Sequence, residues 1–177
     1  MVKLIDFFKL IRTKNLLIIA LSQYLIRYAI IIPMTDSKSL SDIQFFYLVI
    51  STIFIAAAGY IINDYFDIKV DRLNNRKLII DYSIKRREAI LLHFLFSGIG
   101  VFLGFFLGWK VGIINLGFIN LFCSIVLWFY STSYKRAYLS GNLLISLLTS
   151  LVFLIIPLYE IIPNPNTNSE NAFYIIS

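Results

Sequence analysis

The chain has 177 residues, of which 59% are hydrophobic and 15% charged, with a mean hydropathy of +0.80. Apolar content at that level excludes an ordinary soluble domain, and because lipid offers the backbone no hydrogen-bond partners, the expected fold class is all-α, a polytopic bundle of transmembrane helices. The net charge of +6 comes from basic residues that flank apolar runs, as the positive-inside rule expects, so it does not point to nucleic acid, and the single Cys123 within an apolar run excludes a disulfide framework.

Residues 1–15 alternate Lys3, Lys9, Arg12 and Lys14 with Leu4, Phe7, Phe8 and Ile11, the pattern of an interfacial amphipathic segment. No signal peptide is expected, because the basic N-terminus is followed by a run too long and too polar at its end for one, with no small-residue cleavage site. The first span is expected over 16–33, with Arg27 toward its far end, where its long side chain is expected to snorkel to the outer interface. A short polar loop leads to a second span over 45–62, in which Gly59 suits close helix packing. Residues 63–87 form the first long polar stretch. Spans three, four and five are expected over 89–108, 113–130 and 142–159, each near the ~20 residues a crossing needs. Of the sixteen Lys and Arg residues, all but Arg27, Lys38 and Lys110 lie in residues 1–15, 63–87 and 131–141. Five spans put those three segments on one side, so the N-terminus is expected in the cytoplasm of a multi-pass protein of a bacterial inner membrane.

The stretch Asn63-Asp64-Tyr65-Phe66-Asp67-Ile68-Lys69-Val70-Asp71-Arg72 follows the second span directly. Read as a continuing helix, it places Asp64, Asp67 and Asp71 at i, i+3 and i+7 on one face, overlapped by Asn63. Like charges at that spacing destabilise a helix unless a counter-ion is present. Hard oxygen ligands at this density suit Mg²⁺, which bridges a few carboxylates to a substrate phosphate. A solvated charge cluster at a helix end is the other reading of the same residues.

Asn-Asp-x-x-Asp-x-x-x-Asp at the inner end of a second span resembles the first signature of the UbiA family of intramembrane prenyltransferases, and Asn63, Asp64, Asp67 and Asp71 match it without a gap. Tyr130-Ser131, Lys135-Arg136 and Gly141-Asn142 resemble the family's Tyr–Lys element between spans four and five. The form of both looks most like the geranylgeranylglycerol-phosphate geranylgeranyltransferase branch. The sequence departs from the pattern after Arg72, with Asn75-Arg76-Lys77 where a Pro is usual and Asp81-Tyr82 where a Gly is common.

The resemblance implies Mg²⁺-dependent transfer of a prenyl group from an isoprenoid diphosphate to a hydrophobic acceptor. Asp64, Asp67 and Asp71 would be catalytic and, with Asn63, would hold the metal. Asn15, Asn63, Arg72, Lys77, Tyr130, Lys135 and Arg136 would bind substrate. The acceptor would be a glycerol-phosphate lipid, an aromatic quinone precursor or haem. Members of the family carry about nine spans of about 20 residues and a second Asp motif, so residues 1–177 are expected to be the N-terminal part of one domain whose C-terminal half is absent. A truncated, non-catalytic remnant or a cation-binding membrane protein is the alternative. Oligomeric state is not legible.

Overall fold

The structure, a computed structural model, describes residues 2–35, 39–74, 78–136 and 139–163, the side chains of Val2, Lys3 and Arg136 excepted. Among these residues the order is α1 (Val2–Leu10), α2 (Thr13–Thr35), α3 (Asp42–Leu73), α4 (Arg86–Lys110), α5 (Ile114–Thr132) and α6 (Ser140–Ile161). Helices α2 to α6 are each long and apolar enough to cross a membrane, so the five expected spans are all present. They run alternately up and down, with α3 the most enclosed of the five.

Helix α3 starts on a capping box. The Ser41 hydroxyl accepts from the Gln44 backbone N–H at 3.2 Å, and the Gln44 side chain accepts from the Ser41 N–H at 2.8 Å. Its 32 residues then extend about 48 Å at ~1.5 Å per residue, well beyond the roughly 30 Å hydrocarbon layer. The polar end therefore projects past the apolar bundle. Gly59 on α3 lies against Leu127 of α5, at a spacing where a Cβ would come within 2.9 Å of a Leu127 methyl.

Two apolar clusters hold the bundle together. One joins Phe45, Leu48 and Val49 of α3 to Leu107, Ile155, Ile156 and Tyr159. The other, at the opposite end, joins Ala57, Ile61 and Ile68 of α3 to Leu10, Ile11 and Leu16 and to Ile80, Ile84 and Ala89. Helix α1 packs on the bundle through Leu10, with Asp6 also buried, and leaves Leu4, Ile5 and Phe8 exposed. Polar side chains inside the bundle tie helices together. Asn120 of α5 donates to the Ser51 hydroxyl of α3 at 2.5 Å, and Ser51 donates to the Gly100 carbonyl of α4 at 2.7 Å. His93 is likewise a packed polar residue, 3.0 Å from the Ala58 carbonyl through Nδ1 and against Trp128.

Arg27 does not snorkel. It sits in a π turn, Arg27–Ile31, and is fully buried. Its Nε donates to Glu160 of α6 at 2.7 Å, its guanidinium also donates to Asp42 at 3.1 Å and to the Leu40 carbonyl at 2.5 Å, and it lies 4.4 Å above the Phe45 ring. Glu160 in turn accepts the Ser39 and Leu40 N–H groups at 2.9 and 3.2 Å. A guanidinium held in a fixed fork by carboxylates and a carbonyl has its hydrogen bonds met inside the protein, so it has no need to reach the interface.

Candidate active site

The helix of α3 continues unbroken through the Asp motif to Leu73, because no Gly or Pro interrupts residues 60–73. Asp64, Asp67 and Asp71 therefore share a face one and two turns beyond the apolar part, as the spacing requires. Their mutual repulsion is relieved from two other elements. Arg12, at the junction of α1 and α2, donates to Asp64 at 2.9 Å. Lys135, on a 3₁₀ turn Tyr134–Arg136 between α5 and α6, donates to the Asn63 Oδ1 at 2.9 Å and to Asp67. Asn63 also donates to Asp67 at 3.2 Å. Residues 63, 64, 67, 135 and 12, far apart in sequence, form one charged cluster at the end of the bundle.

Arg12 is the member that reading the sequence left among the basic N-terminal residues. Its backbone is left-handed, with φ 52° and ψ 54°. That conformation costs a residue with a Cβ about 1–2 kcal/mol, and glycine is the usual occupant at such a helix end. The Arg12–Asp64 pair is partly solvated, with side chains 44% and 26% exposed, and a pair of that kind returns about 0–1 kcal/mol. Stability alone therefore does not account for arginine at this elbow. The guanidinium also stacks 4.9 Å from the centre of the Tyr60 ring, and Asn15 donates to the Tyr60 hydroxyl at 3.4 Å. Asn15 is inside α2, not at its cap, and reaches the cluster through Tyr60. Nothing in the sequence separates Arg12 from Lys14, the other cation just before the first span.

The position of Lys135 is set by Gly141. A Cβ at Gly141 would come within 2.9 Å of the Tyr134 carbonyl and 3.6 Å of the Lys135 Cα, so only glycine lets the start of α6 close over the turn. Gly141→Val is expected to displace the turn and lower stability by about 1–3 kcal/mol, the usual cost of overpacking, with Gly141→Ala in between; thermal unfolding of both variants is the check. Beside the turn, an apolar cavity of about 470 Å³ opens between α5 and α6, lined by Val126, Phe129, Tyr134, Ser140, Leu143 and Leu144. Tyr130 is half-buried on α5 one turn away.

The polar loop after α3 folds back on itself through an isolated bridge between Ile80 and Ile84. Asp81 there has φ 83°, a left-handed backbone, which accounts for the glycine common in the resembled pattern. Its carboxylate accepts from Arg86 at 2.8 and 2.7 Å and from Arg72 at 3.3 Å. The Arg86 guanidinium holds the Asp81 carboxyl below the usual carboxylate range, so this clasp is complete at neutral pH and is lost as pH falls through that lowered value. Nearby, Ser83 donates to the buried Asp6 of α1. Arg72 is thus engaged with the loop through Asp81. Lys77 lies outside the described residues, and Arg136 is described in its backbone alone.

Among the described residues, no three of His, Cys, Asp and Glu come close enough to hold a metal ion by themselves. The donor set still fits a hard cation in a weaker sense. The Lys135 ammonium contacts both Asn63 Oδ1 and Asp67 Oδ2, two hard oxygens of the kind that also suit a small cation. Mg²⁺ keeps several waters and is usually bound by one or two carboxylates plus substrate phosphates, which is what this face can supply.

A model of the UbiA prenyltransferase family matches residues 24–164. Digeranylgeranylglyceryl phosphate synthase of Methanosarcina mazei is 34% identical over 156 residues, covering 84% of this chain and 52% of that protein. The enzyme of the same name from Methanococcus maripaludis is 30% identical over 152 residues, 84% of this chain and 50% of its own. A solved structure from work on digeranylgeranylglyceryl phosphate synthase in membranes has a TM-score of 0.74 at 26% identity, over 90% of this chain and 54% of that one. The chain thus spans about half the length of the curated relatives it matches.

Proposed function

The chain belongs to the UbiA prenyltransferase family, and from that premise we propose that the protein moves a prenyl group, within the membrane, from an isoprenoid diphosphate to a hydrophobic acceptor. The observation that carries the reading is the meeting of Lys135 and Arg12 with the Asn63, Asp64 and Asp67 face at the end of an apolar bundle. Cations and carboxylates gathered at that boundary suit a substrate with a charged head and a long apolar tail.

The acceptor we propose is geranylgeranylglyceryl phosphate and the donor geranylgeranyl diphosphate, supported by the names of the relatives. In the reaction, the bond from donor C1 to the diphosphate oxygen breaks with its electron pair leaving on pyrophosphate. The acceptor hydroxyl oxygen bonds to C1, and its proton passes to the released pyrophosphate. Mg²⁺, held by Asp67 and Asn63 with Asp64 and Asp71 along the same face, would neutralise the charge of the leaving group. Lys135 donates a charge-assisted hydrogen bond to a phosphate oxygen. Arg72, once it leaves Asp81, is within the same cytoplasmic layer and can add a second. The apolar walls of α5 and α6 keep water from the allylic carbon, which would otherwise be hydrolysed. The proposal extends to the domain: residues 1–177 supply the N-terminal part of one prenyltransferase domain, which the coverage of the relatives supports.

The reading is tested by incubating the whole domain, of which residues 1–177 are proposed to be the N-terminal part and inactive alone, in lipid with geranylgeranyl diphosphate, Mg²⁺ and geranylgeranylglyceryl phosphate, then analysing lipids by mass spectrometry. A doubly geranylgeranylated product that disappears with a chelator is expected. Product from an aromatic quinone precursor or haem in its place would contradict the acceptor, and no prenyl product would contradict the reaction.

The same proposal places the N-terminus and the Asp cluster in the cytoplasm, because the basic residues gather at that end. In a Cys123→Ser background, cysteine at Tyr82, which is 90% exposed, and at Trp109, 64% exposed, should be labelled from opposite sides of inverted and right-side-out vesicles. Labelling of both from one side would be incompatible with five spans between an inner N-terminus and an outer α6 end.

A further inference from the structure

We infer that Arg12 is an exchangeable counter-ion: it neutralises Asp64 while the site is free of ligand and becomes a ligand of the diphosphate when metal and substrate arrive. The inference rests on the function proposed above and adds a residue and a role to it. Three observations carry it. The guanidinium lies 2.9 Å from an Asp64 oxygen with nearly half of the side chain in solvent, so it can leave without dragging the core. The backbone beneath it is left-handed at φ 52°, a conformation that glycine would adopt with less strain, so the elbow keeps an arginine against its own preference. The guanidinium stands on the Tyr60 ring at 4.9 Å, and Tyr60 is anchored by Asn15, which gives the released side chain a platform on the same side of the cluster.

Lys135 makes the matching contact from the opposite flank, with Asn63 and Asp67. Two cations on two separate elements thus occupy two carboxylates of one helix face. A divalent metal entering that face competes with both. The displaced guanidinium and ammonium are then left beside a diphosphate whose oxygens accept from them. The exchange keeps charge balanced in both states: carboxylate with basic side chain when empty, carboxylate with metal and phosphate with basic side chain when loaded.

This predicts a reciprocal signature that a purely structural ion pair does not give. Arg12→Gly removes the guanidinium at a position whose backbone favours glycine, so the variant is expected to fold. Its affinity for Mn²⁺ alone, as a spectroscopic probe of the metal site, should rise several-fold, because a competitor is gone. Its affinity for inorganic pyrophosphate in the presence of Mg²⁺ should fall about tenfold, the size of one lost hydrogen bond to a charged group. Arg12→Lys should recover part of the pyrophosphate affinity. The binding measurements are made on the purified protein, with thermal unfolding as the control for folding. Equal losses of both affinities, or a pyrophosphate affinity unchanged in Arg12→Gly, would overturn the inference while leaving the proposed function in place. No Mg²⁺-dependent pyrophosphate binding by the unaltered protein would overturn both.

Discussion

In the intact protein, Asp67→Ala should lower the proposed prenyl transfer by roughly 10²–10³-fold, the cost of deleting one preorganised charge at a site where charge develops in the transition state, while expression and thermal stability stay near those of the unaltered protein. Stability should hold because Asp67 makes no core contact: its side chain is 22% exposed and its partners are Lys135 and Asn63. The loss should fall mainly on kcat, since the leaving pyrophosphate gains more charge in the transition state than the bound diphosphate carries toward the site. Asp67→Asn tests charge apart from size. It should be nearly as inactive as the alanine variant, because an amide neither neutralises Lys135 nor binds Mg²⁺ as a carboxylate does. Near-normal turnover of either variant at limiting Mg²⁺ would remove Asp67 from the site.

The second large effect is on stability and lies at the opposite end of the bundle. Glu160→Ala should destabilise the folded protein by about 3–5 kcal/mol, the usual cost of breaking a buried ion pair on one side. The side chains of Arg27 and Glu160 are 0% and 1% exposed, so loss of the carboxylate strands a guanidinium inside the bundle with, among the described residues, Asp42 left for charge balance. It also strips acceptors from the Ser39 and Leu40 N–H groups. Replacing both partners, as Arg27→Met with Glu160→Leu, should recover part of the loss because no unpaired charge remains, though the two N–H groups stay unmet. Unfolding in mixed micelles measures both variants. A double variant less stable than Glu160→Ala would show that the contacts to Leu40 and Ser39, and not the charge pair, hold α2 to α6.

The number of spans, their order and the helical run through the Asp motif were legible because each rests on periodicity and length, which lipid enforces strictly. The face shared by Asp64, Asp67 and Asp71 followed from helical geometry alone. What the sequence could not show were partners distant along the chain. Arg12 meets a residue 52 positions away and Lys135 residues 72 and 68 positions away, and no local pattern encodes which cation faces which carboxylate. Arg27 was misread for a related reason. A lone arginine in an apolar run is well placed to snorkel unless a carboxylate answers it, and that carboxylate, Glu160, lies 133 residues on. Asp81 shows the reverse case: a departure from the resembled pattern became intelligible once its left-handed backbone and the two hydrogen bonds it accepts from Arg86 were visible.

The Asn63–Asp67 face and Lys135 together are proposed as the diphosphate site. The most direct test is an experimental structure of the protein with Mg²⁺ and geranylgeranyl diphosphate bound. A phosphate oxygen is expected within about 3 Å of the Lys135 Nζ, with a metal between the diphosphate and the Asp67 carboxylate and the contact between Lys135 and Asp67 broken. A diphosphate bound elsewhere in the bundle, with Lys135 still resting on Asp67, would contradict that assignment.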